Sequence, residues 1–193
     1  MKPATFEYHR PDSLRSALAL LADRDDAKPL AGGQSLIPAM NFRLAAPAAL
    51  VDLNGLGELA GISERSNVIR IGGLTRHAAV ERDAVIRRKV PLLSETMPFI
   101  AHPQIRSRGT IGGSLAHADP AAELPAVALA LNAELVLESV RGERRMRAGE
   151  FFTGLFQTAL EPGELVVAVE IPVQPARTGA ARRASESPRE GAG

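Results

Sequence analysis

Two pairs of adjacent glycines, each followed by a hydroxyl residue and flanked by apolar ones, are where this sequence is equipped for chemistry. The first lies in Leu30-Ala31-Gly32-Gly33-Gln34-Ser35-Leu36-Ile37 and the second in Thr110-Ile111-Gly112-Gly113-Ser114. Paired glycines allow positive φ and bring backbone N–H groups up to a ligand without interference from Cβ atoms. Consecutive N–H groups in such a turn form an anion-binding nest. Ser35, Thr110 and Ser114 add hydroxyl donors, so a phosphate or pyrophosphate suits both segments. Neither segment is a Walker A loop, because no Gly-Lys-Ser/Thr follows, and neither is G-x-G-x-x-G, so the standard mononucleotide and dinucleotide folds are disfavoured. A third pair, Gly72-Gly73, follows a strand pattern and reads as a turn.

The remaining polar groups give weaker signals. His9, His77, His102 and His117 fall at no spacing that binds a metal, so no metal site is expected. His117 reads as a loop histidine with a local hydrogen bond, with a ligand or subunit contact as the alternative. Asp119-Pro120 reads as a turn and helix start. Ser114, His117 and Asp119 lack the G-x-S-x-G elbow of a hydrolase. Arg106 and Arg108 read as solvated arginines, the alternative being support for a phosphate or a partner carboxylate.

Composition narrows the class. The chain has 193 residues, 45% of them hydrophobic, and a net charge of +1, enough for a buried core but with no broad basic field for nucleic acid. No apolar run reaches the roughly 18 residues of a membrane span. The N-terminal residues lack the apolar stretch of a secretory signal, and cysteine is absent, which fits a reducing cytoplasm. Without cysteine this chain cannot itself ligate an iron–sulfur cluster. Only 4% of residues are aromatic, so an aromatic cofactor must be gripped mainly by backbone and aliphatic groups. Residues 174–193 contain no Leu, Ile, Val, Phe or Met and read as a disordered tail. Arg177, Arg182, Arg183 and Arg189 against Glu186 and Glu190 give that tail a charge of +2 and leave −1 on the body.

Helices and strands alternate along the body, an α+β or mixed α/β pattern. Asp12 or Ser13 caps a helix with Leu14, Ala17, Leu18 and Leu21 on one face. Lys28 to Ala31 is a short apolar stretch that runs into Gly32-Gly33, and strands are expected near 49–53, 67–71, 134–138, 143–146 and 164–171, the last ending at Pro172. Thr75 reads as the cap of a helix through Val80, and further helices are expected over 84–89, from Pro91 to Ile100, and from Pro120 to Leu131.

The two glycine segments, taken together, resemble the flavin-binding loops of the FAD-binding medium subunit of molybdenum hydroxylases. That family includes the carbon monoxide dehydrogenase medium subunit and the FAD-binding part of xanthine dehydrogenase. Phe6-Glu7-Tyr8, Val51-Asp52-Leu53, Ile71-Gly72-Gly73-Leu74-Thr75, Gln104 to Gly109, Asp119-Pro120 and Glu170-Ile171-Pro172 agree in order, and the resemblance covers residues 3–172. It implies an α+β, two-lobed FAD-binding fold of the PCMH or vanillyl-alcohol-oxidase type, with residues 1–55 as one lobe and 56–173 as the other. FAD would lie between them. The resemblance assigns Leu30, Ala31, Gly32, Gly33, Gln34, Ser35, Leu36 and Ile37 to the pyrophosphate and flavin, and Thr110, Ile111, Gly112, Gly113 and Ser114 to the phosphates. It assigns Glu123 to the adenosine end, Ile100 and Ala101 to an apolar contact, and Leu165 and Val166 to a backbone contact.

The implied activity is electron transfer within an oxidoreductase. A large molybdopterin subunit and a small [2Fe–2S] subunit would be the partners in a hetero-oligomer, with FAD passing electrons to an external acceptor. Molybdenum and iron–sulfur groups would sit only in those partners. The resemblance also implies a further C-terminal α+β domain, and the change of composition near Ala180 reads as a truncation or frame shift. The alternatives are a flavin-binding remnant or assembly module without turnover, and a phosphate-binding domain unrelated to flavin.

Overall fold

Apolar side chains of two central strands alternate between two cores, and this alternation organises the chain. The computed structural model describes residues 2–175; most of the expected tail, from residue 176 onward, lies outside the described residues. The first elements are β1 (Glu7–His9), α1 (Leu14–Asp23), β2 (Ala27–Leu30), α2 (Leu36–Asn41) and β3 (Ala49–Asp52). These three strands form a parallel sheet in the order β1-β3-β2. Ser13 caps α1, its hydroxyl accepting from the Ser16 N–H, and Ala17, Leu18 and Leu21 are the buried face, as the spacing predicts.

After a 3-10 turn at Gly57–Leu59 come β4 (Ile62–Arg65) and β5 (Val68–Gly72). Helices follow: α3 (His77–Arg82), α4 (Ala84–Lys89), α5 (Pro91–Thr96), α6 (Pro103–Arg106), α7 (Ile111–His117) and α8 (Glu123–Ala130). The chain closes with β6 (Glu134–Ser139), β7 (Gly142–Arg147), α9 (Ala148–Phe151), the hairpin β8 (Phe152–Gly154) and β9 (Gln157–Thr158), and β10 (Leu165–Pro172). A five-stranded antiparallel sheet runs β4-β5-β10-β6-β7.

In β6, Leu135 and Leu137 enter the core beneath the helices, whereas Val136 enters the core shared with α1 and the parallel sheet. Successive strand side chains point to opposite faces, so both faces of this strand are buried. In β10, Val169 and Ile171 face the helices while Leu165, Val167 and Ala168 face α1. A bulge between Val166 and Ala168 shifts the register and lets Val167 and Ala168 share one face. The last strand therefore welds the two sheets together.

Several expectations change. β4 is an extra strand, joined to β5 by Ser66 and Asn67, both at positive φ, a turn that the unusual Ser-Asn pair conceals. Thr75 is not a helix cap: its hydroxyl donates to the Gly61 carbonyl at 3.0 Å and accepts from the Gly61 N–H at 2.9 Å, and α3 begins after Arg76. Pro98 ends the Pro91 helix early, in a 3-10 turn at Met97–Phe99. The helix expected from Pro120 starts instead at Glu123, because the Asp119 carboxylate accepts from the Ala121 N–H and holds a turn.

The pair Gly72-Gly73 is more than a turn. A Cβ on Gly73 would lie 2.2 Å from the Val166 carbonyl oxygen, and one on Gly112 would lie 2.9 Å from the Gly73 Cα. The strand end, β10 and α7 are therefore stacked backbone on backbone. Gly73→Ala is expected to lower stability by at least about 2 kcal/mol in urea unfolding, since the neighbours are rigid main chain. Gly149→Ala, in α9 with open space around it, is expected to be neutral or stabilising by about 0.5 kcal/mol.

Candidate functional site

The two glycine segments meet on one wall of a cavity of about 800 Å³, within the usual size range of ligand pockets. The end of β2 delivers the first segment and the β5 crossing supports the second. Ala31, Gly32, Gly33, Gln34, Ser35, Leu36, Thr110, Gly112, Gly113 and Ser114 line the cavity, joined by Ile100, Leu165 and Val166. Contact between the segments is direct. A Cβ on Gly32 would stand 2.4 Å from the Arg108 carbonyl oxygen, and one on Gly113 would stand 3.7 Å from the Ala31 Cβ.

The two segments offer different chemistry. In the first, the backbone N–H groups of Gly32, Gly33, Gln34, Ser35 and Leu36 donate to no acceptor among the described residues. Gly33 sits at φ +72°, the left-handed conformation that turns successive N–H groups to one side. The Gln34 side chain folds back onto its own loop, donating to the Gly32 carbonyl at 3.0 Å.

The second segment is not an open loop. It is the first turn of α7, with Thr110 as its cap. Ile111 N–H donates to the Thr75 carbonyl at 3.1 Å and Gly112 N–H to the Gly73 carbonyl at 2.8 Å. Gly113 N–H donates to Thr110 Oγ1 at 3.2 Å and Ser114 N–H to the Thr110 carbonyl at 3.0 Å. The amides from Ile111 to Ser114 are thus committed to the fold, and Ser114 carries a hydroxyl on the cavity wall. A ligand with a diphosphate and flat apolar rings fits this set: orphan amides on one side, Ser35 and Ser114 hydroxyls, and walls of Ala31, Leu53, Ile100, Leu165 and Val166.

Leu30, Ile37, Ala101, Ile111 and Glu123 do not line the cavity. Leu30 and Ile37 stand behind Gly33, and Ile111 is buried in the core beneath the helices. Ala101, at φ +44°, is exposed, and Glu123 is half-buried at the start of α8.

Arg106 corrects the expectation of a solvated arginine. It is 8% exposed and forms a two-pronged pair with Glu81, Nε to Oε2 at 2.9 Å and Nη2 to Oε1 at 3.2 Å. Its Nη1 donates to the carbonyls of Ile100 at 3.0 Å and Ala101 at 3.2 Å, which fixes the segment that brings Ile100 to the cavity. Only its position between helix ends, invisible in the sequence, reveals this role. His117 lines the cavity and its ring packs against Phe156, centroids 5.4 Å apart. At the far end Glu164 is buried, which by itself raises its pKa. Bonds from Arg144 at 2.6 and 2.7 Å and from the Glu161 N–H at 3.0 Å outweigh burial and hold the carboxyl below its ordinary range.

His77 is buried under Gly109 on the cavity wall, and neither ring nitrogen has a hydrogen-bond partner among the described residues. Burial pushes its pKa down and is the largest cause; the Thr110 main chain opposes it, and the charges of Arg106 and Arg76 add to the lowering. As pH falls through the ordinary imidazole value of about 6.5, the unfolded chain takes up a proton that the folded chain resists. Stability attached to His77 is therefore present above that pH and lost below it. His77→Leu is expected to flatten the fall in thermal midpoint between pH 7 and pH 5.

Among the described residues no group of three or more His, Cys, Asp or Glu is arranged to hold a metal, and no helix is long and apolar enough to cross a membrane. The sequence profile of a family described as the FAD binding domain in molybdopterin dehydrogenase matches residues 4–174. The 6-hydroxypseudooxynicotine dehydrogenase complex subunit alpha of Paenarthrobacter nicotinovorans is 52% identical over 182 residues, covering 94% of this chain and 62% of that relative. The carbon monoxide dehydrogenase medium chain of Afipia carboxidovorans is 45% identical over 180 residues, covering 93% of this chain and 62% of its own length. In the solved carbon monoxide dehydrogenase from Hydrogenophaga pseudoflava, a chain 43% identical superposes with a TM-score of 0.89, covering 91% of this chain and 62% of that one. The chain thus spans less than two thirds of the length of these relatives. The α+β, PCMH-type architecture expected from the sequence is the one observed.

Proposed function

Because this chain belongs to the family of FAD binding domains of molybdopterin dehydrogenases, we propose that it binds FAD in the cavity between the glycine segments and serves as the flavin subunit of a molybdenum hydroxylase. The chemistry that FAD supplies when bound is acceptance of electrons, relayed by a small [2Fe–2S] subunit from a large molybdopterin subunit, and their delivery to an external acceptor. This chain's own part is to bind, orient and shield. The assembly is a hetero-oligomer in the cytoplasm. Residues 1–55 and 56–173 act as the two lobes that grip the cofactor.

One observation carries the reading: the run of backbone N–H groups from Gly32 to Leu36 without acceptors among the described residues. Buried or half-buried amides left unpaired cost stability, so a run of them beside a cavity supports an anionic ligand group. In this reading they donate to the pyrophosphate, with the Ser35 and Ser114 hydroxyls adding donors. Thr110 and the glycines of α7 allow close approach, while Ile100, Leu165 and Val166 exclude water. Leu30, Ile37 and Ile111 support the loops from behind. Ala101 and Glu123 act only on parts of the cofactor that extend beyond the cavity.

Titration of the purified chain with FAD, followed by flavin fluorescence, tests the proposal. Saturable binding is expected, tighter than that of ADP. Ser35→Asp puts a carboxylate beside the run of free amides on the cavity wall, whereas Ser35→Asn adds the same bulk without charge. The Asp variant is expected to bind at least about tenfold more weakly than the Asn variant. Absence of saturable FAD binding by the parent chain, or equal affinity for FAD and ADP, overturns the reading.

A further inference from the structure

One pair of side chains holds both glycine segments at once. Asn54 Nδ2 donates to the Ala31 carbonyl at 2.9 Å, at the entry to the first glycine pair. Asn54 Oδ1 accepts from Arg76 Nη2 at 2.6 Å, and Arg76 Nη1 donates to the Arg108 carbonyl, just ahead of the second pair. That same carbonyl oxygen is the atom against which Gly32 packs. The orientation of Asn54 is not free: Asp52 accepts from its Nδ2 and from its N–H, the latter at 3.0 Å, and Asp52 is itself held by the Tyr8 hydroxyl.

Arg76 suits this place for a reason of shape. Among the described residues it bonds only neutral acceptors, Asn54 and the Arg108 carbonyl, and forms no ion pair. A planar guanidinium can address two acceptors in fixed directions, which an ammonium cannot. Tyr8 and Asp52 belong to the parallel sheet, while Arg76 and Arg108 flank α3 and α7. The chain of bonds therefore crosses between the two halves of the cavity wall.

We infer that Asn54 and Arg76 form a clamp that sets the gap between the two glycine segments, and with it the width of the cofactor site. Both are positioning residues, and the link to FAD rests on the proposed function. Two measurements test the clamp on Arg76→Met, Asn54→Ala and the double variant. The first is FAD affinity. Each single variant is expected to bind about tenfold more weakly than the parent, since the charge-assisted Arg76–Asn54 bond is lost in both. The double variant is expected to be no weaker than the worse single one, because the two side chains act as a unit.

The second is amide hydrogen exchange without cofactor. Leu53 N–H donates to the Leu30 carbonyl and His77 N–H to the Gly109 carbonyl. Exchange at these two amides is expected to rise about tenfold or more in the variants, with β6 amides unchanged. FAD affinity within about twofold of the parent, effects that multiply in the double variant, or exchange rising equally in β6 overturns the clamp. A parent chain that fails to bind FAD removes the proposed function, and the exchange pattern alone then decides the clamp.

Discussion

The carbonyl oxygen of Arg108 occupies the place where a side chain on Gly32 would have to stand, 2.4 Å from that Cβ position. Everything at the site depends on this contact. It brings the end of the parallel sheet against the approach to α7, and so turns two separated segments of sequence into one wall. Any other residue at position 32 would force the main chain of Arg108 and Gly109 away and open the wall. The contact is repeated behind it, where Gly73 meets the Val166 carbonyl and Gly112 meets Gly73. Glycine here serves close approach more than conformational freedom; among these three residues none has positive φ.

Close packing of main chain has a consequence for hydrogen bonding. Where backbones touch, amides find carbonyl partners, and α7 is tied to β5 and the Thr75 corner in this way. The first glycine segment escapes that fate because Gly33 turns left-handed and its neighbours face the cavity. One glycine pair is thus spent on architecture and the other on donors. Unpaired amides are costly in a folded protein, and their concentration in one short run is the clearest mark of a binding site. Arg106 and the Asn54–Arg76 pair act around this run by gripping carbonyls, so that much of the cavity wall is positioned through backbone rather than through side-chain packing.

Where local signals were sufficient, the sequence was a good guide. The helix over Ala84–Lys89 appears at its expected bounds because Asp83 caps it through the Val85 and Ile86 amides. Apart from β4, the strands of the antiparallel sheet appear near their expected bounds because alternation and flanking glycines mark them. Long-range partners defeated the same reasoning elsewhere. Thr75 looks like a cap, but its hydroxyl finds Gly61 across the sheet. Thr110 looks like a loop residue, but it starts a helix because α7 can rest on Gly73. Arg106 looks solvated, but Glu81 and three carbonyls surround it.

Residue types and spacing by themselves determined the two glycine segments, the family they resemble, the alternating helices and strands, and the absence of cysteine chemistry within this chain. Those are local or compositional properties, written in neighbours a few positions apart. Tertiary structure alone decided which glycine pair keeps its amides free, which arginine is buried, and that Asn54 and Arg76 bridge the two segments. The reason is physical: a hydrogen bond is made to whatever the fold brings within about 3 Å, and that partner is usually distant in sequence.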